Sequence, residues 1–309
     1  MTIRDICAIL NIDVPKEYEY MASDVLTNVS YSDKFIKDGG AYFIAGNKPD
    51  EIDNRIQKAI DENCDYIATG HYSKISFNNQ TGRYAITRPK NFKKDQTYVL
   101  YPLTQHQLAH TLLPLGELTK DEARQKAAQN GFVNANKADS QDICFVPDGD
   151  YFSFLRRFTQ KDYPEGIFLD LQGNTVGTHK GSVGYTLGQR KGLGVAFGHP
   201  VYIKEICADR NEIVLSDSEP TCRAILCGNM NFMSIPEPEE GETIRCQVKV
   251  RYRHFGQDAL LEKIGDDLFK VSFDAPVRFA APGQSAVFYD ENSCLIGGGV
   301  ISKVIHDLP

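Results

Sequence analysis

The chain has 309 residues, 41% hydrophobic and 24% charged, with a formal net charge of −7. That length suits two or three compact domains, that composition excludes a disordered chain, and that charge argues against a general nucleic-acid coat protein while leaving room for a local basic face. No apolar run approaches a membrane span, Met-Thr-Ile-Arg-Asp lacks the order of a secretory signal, and none of the eight cysteines forms a Cys-x-x-Cys pair. A cytoplasmic chain with reduced thiols, no metal site and no membrane partner is expected.

Asp5–Leu10 reads as a short helix and Ala41–Ala45 as a strand stopped by Gly46-Asn-Lys-Pro49. A helix over Glu51–Asn63 follows, with Ile52, Ile56 and Ile60 expected on one face. Asp65–Thr69 is a buried-strand pattern that stops at Gly70-His71, and Lys74–Phe77 with Arg83–Thr87 predicts a hairpin. Helices are predicted over Gln105–Leu112 and from Thr119, where Thr119 and Glu122 fit a capping box and Gly131 a stop. Asp150–Phe158 is a further amphipathic helix. Beyond Pro164 the pattern is strand and turn: Gly166–Asp170, Val201–Ala208, Glu212–Ser216, Glu242–Arg253, Ala259–Ile264, Leu268–Phe273, Ala286–Tyr289 and Cys294–Ser302. The order is α/β, then mostly helical, then an all-β antiparallel barrel.

Four segments could carry chemistry. Cys144, in Asp139-Ser-Gln-Asp-Ile-Cys-Phe145, is either a buried core thiol or a nucleophile and sulfur carrier on a loop. Gly184–Gly194, with Gln189, Arg190 and Lys191 among four glycines, suits a loop that approaches phosphates, or a plain solvent loop. Arg88–Tyr98 mixes cations with aromatic and amide side chains. In Arg245–His254 the alternation lets Arg245, Lys249, Arg251 and Arg253 share one strand face, with Cys246, Val248, Val250 and Tyr252 on the other. A solvated face would look the same, but three basic stretches in an acidic chain together favour a polyanion such as RNA or DNA.

Together these segments resemble the bacterial tRNA-specific 2-thiouridylases. The carriers are Asp65-Tyr-Ile-Ala-Thr-Gly-His-Tyr72, Lys94-Asp-Gln-Thr-Tyr98, Leu113-Pro-Leu-Gly-Glu-Leu118, Asp139–Phe145, Gly188-Gln-Arg-Lys-Gly-Leu-Gly194, Val250-Arg-Tyr-Arg253 and Pro282-Gly-Gln284, in the family's order. The resemblance implies the tail of an adenylating α/β domain of PP-loop type (65–145), a small central domain (146–205) and a C-terminal antiparallel β-barrel (206–309). It implies ATP-dependent 2-thiolation of the wobble uridine of tRNA, with a sulfur-donor or relay protein as partner. Cys144 would carry the persulfide and Gly70 would contact the nucleotide. His71, Lys94, Asp95, Gln96, Arg251, Tyr252 and Gln284 would contact tRNA, and Arg190 and Lys191, as cations of the glycine-rich loop, are expected to contact it too.

The family's Ser-Gly-Gly-x-Asp-Ser phosphate loop does not occur in the chain. Its first cysteine, in an Asn-Pro-Asp-x-x-Cys-Asn setting, is echoed only by Lys48-Pro-Asp-Glu-Ile-Asp-Asn54, which puts Asp53 at the cysteine position. A catalytically incomplete member is therefore expected, with a non-catalytic tRNA-binding protein as the alternative. Thr27–Gly46 is similar to the N-terminal domain of the Mur ligases, which implies a small α/β segment over 1–64 and, as a third reading, a fusion carrying a UDP-sugar-binding domain.

Overall fold

The computed structural model describes residues 28–30, 40–43, 56–57, 59–61, 64–132, 135 and 150–305. Cys144, the Asp5–Leu10 helix, Asp53 and most of the Mur-like segment lie outside the described residues. Contacts divide the chain into two units. One combines residues up to 137 with 226–274 and 283–302; the other takes 138–225, 275–282 and the C-terminal end.

In the first unit, β1 (Asn28–Ser30), β2 (Gly40–Phe43), β3 (Ile67–Ala68) and β6 (Thr111–Leu112) form a parallel sheet in the order β1-β2-β3-β6. Parallel strands are characteristic of α/β architecture. Residues 56–57 and 59–61 are helical, and Ile56 and Ala59 pack with Cys64 and Ile67 in one core. The expected face through Ile60 is corrected: Ile60 is 39% exposed, and the buried stripe is Ile56 and Ala59 at three-residue spacing.

The hairpin of β4 (Lys74–Asn78) and β5 (Arg83–Thr87) forms as expected. A short helix α1 (Thr97–Leu100), not foreseen, precedes α2 (Gln105–Ala109), whose Thr104 and Gln107 form a capping box. The helix predicted to Leu112 ends at Ala109, because Thr111 and Leu112 leave it to pair with Ile67 and Ala68. Helix α3 (Lys120–Gln129) opens on the Thr119–Glu122 capping box, and Gly131 follows its end at φ +74°.

The C-terminal barrel is closed, in the order β11-β14-β13-β12-β15-β16. Its strands are β11 (Thr221–Phe232), β12 (Thr243–Lys249), β13 (Gln257–Gly265), β14 (Leu268–Arg278), β15 (Ser285–Tyr289) and β16 (Leu295–Ile305). Cys246 and Val248, Ala259 and Leu261, and Phe269, Val271 and Phe273 are buried at alternate positions, as closure on a packed interior demands. The α/β tail packs directly on this barrel. Arg83 donates to the carbonyls of Met233 and Phe232 at 2.8 and 2.7 Å, and Asn231 donates to those of Tyr101 and Leu103. Gly298 makes the approach possible, since a Cβ there would run into the Tyr101 ring.

The second unit holds α4 (Tyr151–Thr159), N-capped by Asp150, and a four-stranded sheet in the order β8-β7-β10-β9. These strands are β7 (Gly166–Leu169), β8 (Thr175–His179), β9 (Tyr202–Cys207) and β10 (Glu212–Ser216). The pairing of β10 with β7 is parallel, a departure from the purely antiparallel pattern expected beyond Pro164. Phe168, Leu193, Val201, Ile203, Ile213 and Leu215 form its core.

Candidate nucleic-acid interface

Asp95 divides its carboxylate between two tasks. Oδ1 accepts from the Thr97 amide at 2.9 Å and its hydroxyl at 2.6 Å, which fixes the start of α1. Oδ2 faces Arg88 Nε at 3.4 Å and Lys249 Nζ at 3.7 Å. Arg88 also donates to Gln247 Oε1 at 2.9 Å and lies 4.7 Å from the Tyr289 ring centroid. Two cations thus share one carboxylate in a largely buried setting. Burial pulls the Lys249 ammonium below its ordinary value, and Asp95 opposes that shift.

Tyr98 connects this cluster to the surface. Its hydroxyl donates to the Ser285 carbonyl at 2.9 Å, its ring meets Tyr252 edge-on at 6.1 Å, and burial raises its pKa to about 12. Tyr289 is likewise pushed up by burial, and its hydroxyl lies 2.9 Å from that of Thr97. Gln96 accepts from the Tyr72 amide at 2.8 Å, while its own amide donates to the Tyr72 carbonyl. That places it beside His71, whose Nδ1 is 2.6 Å from Thr69 Oγ1. The His71 amide donates to the same hydroxyl, and burial lowers the ring's pKa.

The expected residues therefore fall into two sets. His71, Lys94, Asp95, Gln96, Arg251, Tyr252 and Gln284 lie in one unit. All but Lys94 and Gln284 are joined through the contacts just described or through the charge interaction of Arg251 with Tyr98. Lys94 acts on Tyr252 electrostatically, and Gln284 immediately precedes Ser285. Arg88, Thr97, Tyr98, Gln247 and Tyr289 were not singled out from the sequence. Their roles arise from pairing across the fold, although Arg88, Thr97 and Tyr98 lie in the basic 88–98 stretch, Thr97 and Tyr98 also in the Lys94–Tyr98 motif, and Gln247 in the Arg245–His254 stretch.

The single cationic strand face is corrected. β12 ends at Lys249, so Arg251 and Arg253 lie in the following turn. Lys249 is buried on Asp95, and exposed Arg245 pairs with Asp274. Because the strand stops there, Tyr252 is no longer held to the apolar face and is 44% exposed.

Arg190 and Lys191 belong to the second unit and are exposed. Gln189 fixes their loop: its Oε1 accepts from the Thr186 amide at 3.0 Å and its Nε2 donates to the Lys191 carbonyl at 2.9 Å. Arg190 lines a groove of about 350 Å³ with Leu193, Val195, Phe197 and His199.

Gly70 is exposed at the carboxyl end of β3, the end at which open parallel sheets bind ligands. Burial raises the thiols of Cys222 and Cys294 to about 11, and those of Cys227 and Cys246 to about 12. These four remain protonated and are poor nucleophiles at neutral pH.

Three family matches run along the chain in sequence: the tRNA methyl transferase HUP domain at 45–148, the tRNA methyl transferase PRC-barrel domain at 153–217, and the aminomethyltransferase beta-barrel domain at 222–301. The chain is 44% identical over 261 residues to a tRNA-specific 2-thiouridylase MnmA of Clostridioides difficile, covering 84% of this chain and 72% of that protein. It is 42% identical over 259 residues to the protein of that name from Acetivibrio thermocellus, covering 84% and 71%. With the one from Lachnoclostridium phytofermentans it shares 39% identity over 299 residues, 95% of this chain and 82% of that protein. At these identities and coverages, the chain belongs to the tRNA-specific 2-thiouridylase family.

Proposed function

We propose that this chain binds tRNA through the surface organised by Tyr98, and that its chemistry is the family's 2-thiolation of uridine with Cys144 as the sulfur carrier. The observation that carries this reading is the meeting of sequence-distant segments. The loop before α1, the His71 turn and the turn after β12 all reach one region, and each contributes a residue that the family resemblance links to tRNA. Cations, a neutral histidine and an exposed tyrosine suit phosphates, base edges and base faces respectively.

In the reaction, the uridine C2 oxygen would attack the α-phosphorus of ATP, giving the adenylate and releasing pyrophosphate. The terminal sulfur of a Cys144 persulfide attacks C2, and AMP leaves with the former C2 oxygen. Release of the C2-bound sulfur then needs a thiol that attacks Cys144 Sγ and forms a disulfide with it; Asp53 stands where the family has that cysteine, so in this chain an external thiol would have to supply the attack. Gly70 is the nucleotide contact in this scheme, and a cytoplasmic sulfur-relay protein recharges Cys144 after the disulfide is reduced.

The sequence contains neither a Ser-Gly-Gly-x-Asp-Ser loop nor a cysteine in an Asn-Pro-Asp-x-x-Cys-Asn setting. This favours a second reading, tRNA binding without turnover. Purified chain incubated with tRNA, ATP and a sulfur donor separates the two. Bound but unmodified tRNA supports the second reading, 2-thiouridine supports the first, and failure to bind tRNA refutes both.

A further inference from the structure

The tips of two adjacent loops display aromatic rings that the fold does not use. Phe255 is 95% exposed and Phe92 is 66% exposed. Isolated exposed apolar residues are ordinary, but these two share their loops with cations: Phe92-Lys93-Lys94 in one, Arg251-Tyr252-Arg253-His254-Phe255 in the other. At their bases the loops are joined by Lys249 on Asp95 and by the Tyr98–Tyr252 ring contact.

Both loops are held by internal hydrogen bonds. In the first, the Lys94 amide donates to the Asn91 carbonyl at 2.9 Å, and Phe92–Lys94 forms a 3-10 turn. In the second, the His254 amide donates to the Arg251 carbonyl at 3.0 Å, and His254 Nδ1 accepts from the Val250 amide at 3.4 Å. Gly256, at φ +99°, closes that turn so tightly on Gln247 that a Cβ would fall 2.7 Å from its side chain. The fixed backbone presents Phe255 to solvent instead of folding it inward.

Rings held by ordered backbone beside cations have the makeup of a platform for unpaired nucleotides, with base faces on the rings and phosphates on the cations. We infer that Phe92 and Phe255, together with Tyr252, stack unpaired bases of the RNA substrate. The inference rests on the tRNA-binding reading and adds the two residues, Phe92 and Phe255, that would hold unpaired bases. An enzyme that works on a base edge needs that base out of the helical stack, and neighbouring rings stabilise the opened loop.

The test uses the full chain and an RNA stem-loop with 2-aminopurine at single loop positions, whose fluorescence falls on stacking. Wild type should quench at least one position. Phe255→Ala and Phe92→Ala should each weaken binding about tenfold and remove quenching at one position, while the affinity for a blunt RNA duplex stays the same. Phe255→Tyr should restore both signals, which a merely structural role would not require. Binding and quenching unchanged in both alanine variants would overturn this inference and leave tRNA binding standing. No binding of any RNA by wild type would overturn the tRNA-binding reading and this inference with it.

Discussion

The Lys249 ammonium lies 3.7 Å from Asp95 Oδ2, with the two side chains only 8% and 10% exposed. Arg88 shares the same oxygen, so the cluster carries one positive charge more than it neutralises. Removing Asp95 strands two buried cations, whereas removing Lys249 leaves the Arg88–Asp95 pair intact. Asp95→Asn is expected to cost about 3 kcal/mol and Lys249→Met less than about 1 kcal/mol. Urea denaturation of both variants measures this, and the reverse ranking would contradict the charge count.

A pH dependence follows from His254. Burial lowers its pKa from 6.5, and neighbouring Lys249 adds to the shift. With the folded value below the unfolded one, the unfolded chain binds more protons in between. Stability therefore falls as pH drops from 6.5 through the folded value, by at most ~1.4 kcal/mol per pH unit for this one group. His71 and His179 shift in the same direction, also through burial. His254→Gln should shallow the acid limb of a stability–pH curve, by at most one proton; an unchanged limb would show that His254 does not contribute.

Sulfur loading should be selective. Cys222, Cys227, Cys246 and Cys294 are held as thiols by burial, so brief exposure to a persulfide donor should label Cys144 well before them. Peptide mass spectrometry after alkylation locates the added sulfur. Even labelling across the cysteines would remove Cys144 from its role.

Phosphate contacts can be counted by salt. Arg190→Ala, on an exposed loop fixed by Gln189, should lower the slope of log affinity against log salt for tRNA by about 0.9. A filter-binding titration at several salt concentrations reads it. An unaltered slope would make the Gly188–Gly194 loop a solvent loop.

Features encoded within a few residues were legible in the sequence. The Thr119–Glu122 cap and the β4–β5 hairpin formed where their local chemistry pointed. Elsewhere a local pattern was overruled by a distant partner. Thr111 and Leu112 continue a helical pattern but are drawn off by Ile67 and Ala68. Strand β11, with three positions in succession that break simple alternation (Ala224, Ile225 and Leu226 are buried, buried and half-buried), gave no period-two signal. At the candidate site, the motif residues could be named from resemblance. The Arg88–Asp95–Lys249 cluster could not, because it depends on where the barrel strand ends and against what it closes.

The core shared by the α/β tail and the barrel bears on the order of events during synthesis. Ile86, Tyr98, Leu100 and Leu108 pack against Met233, Val287, Tyr289 and Leu295, and Arg83 reaches Met233 across 150 positions of sequence. On the ribosome, the earlier residues emerge long before the later ones that cover them. They must wait with apolar surface open to water, a state prone to aggregation and a natural substrate for chaperones. A message truncated before the barrel would yield a chain unable to finish its own first unit.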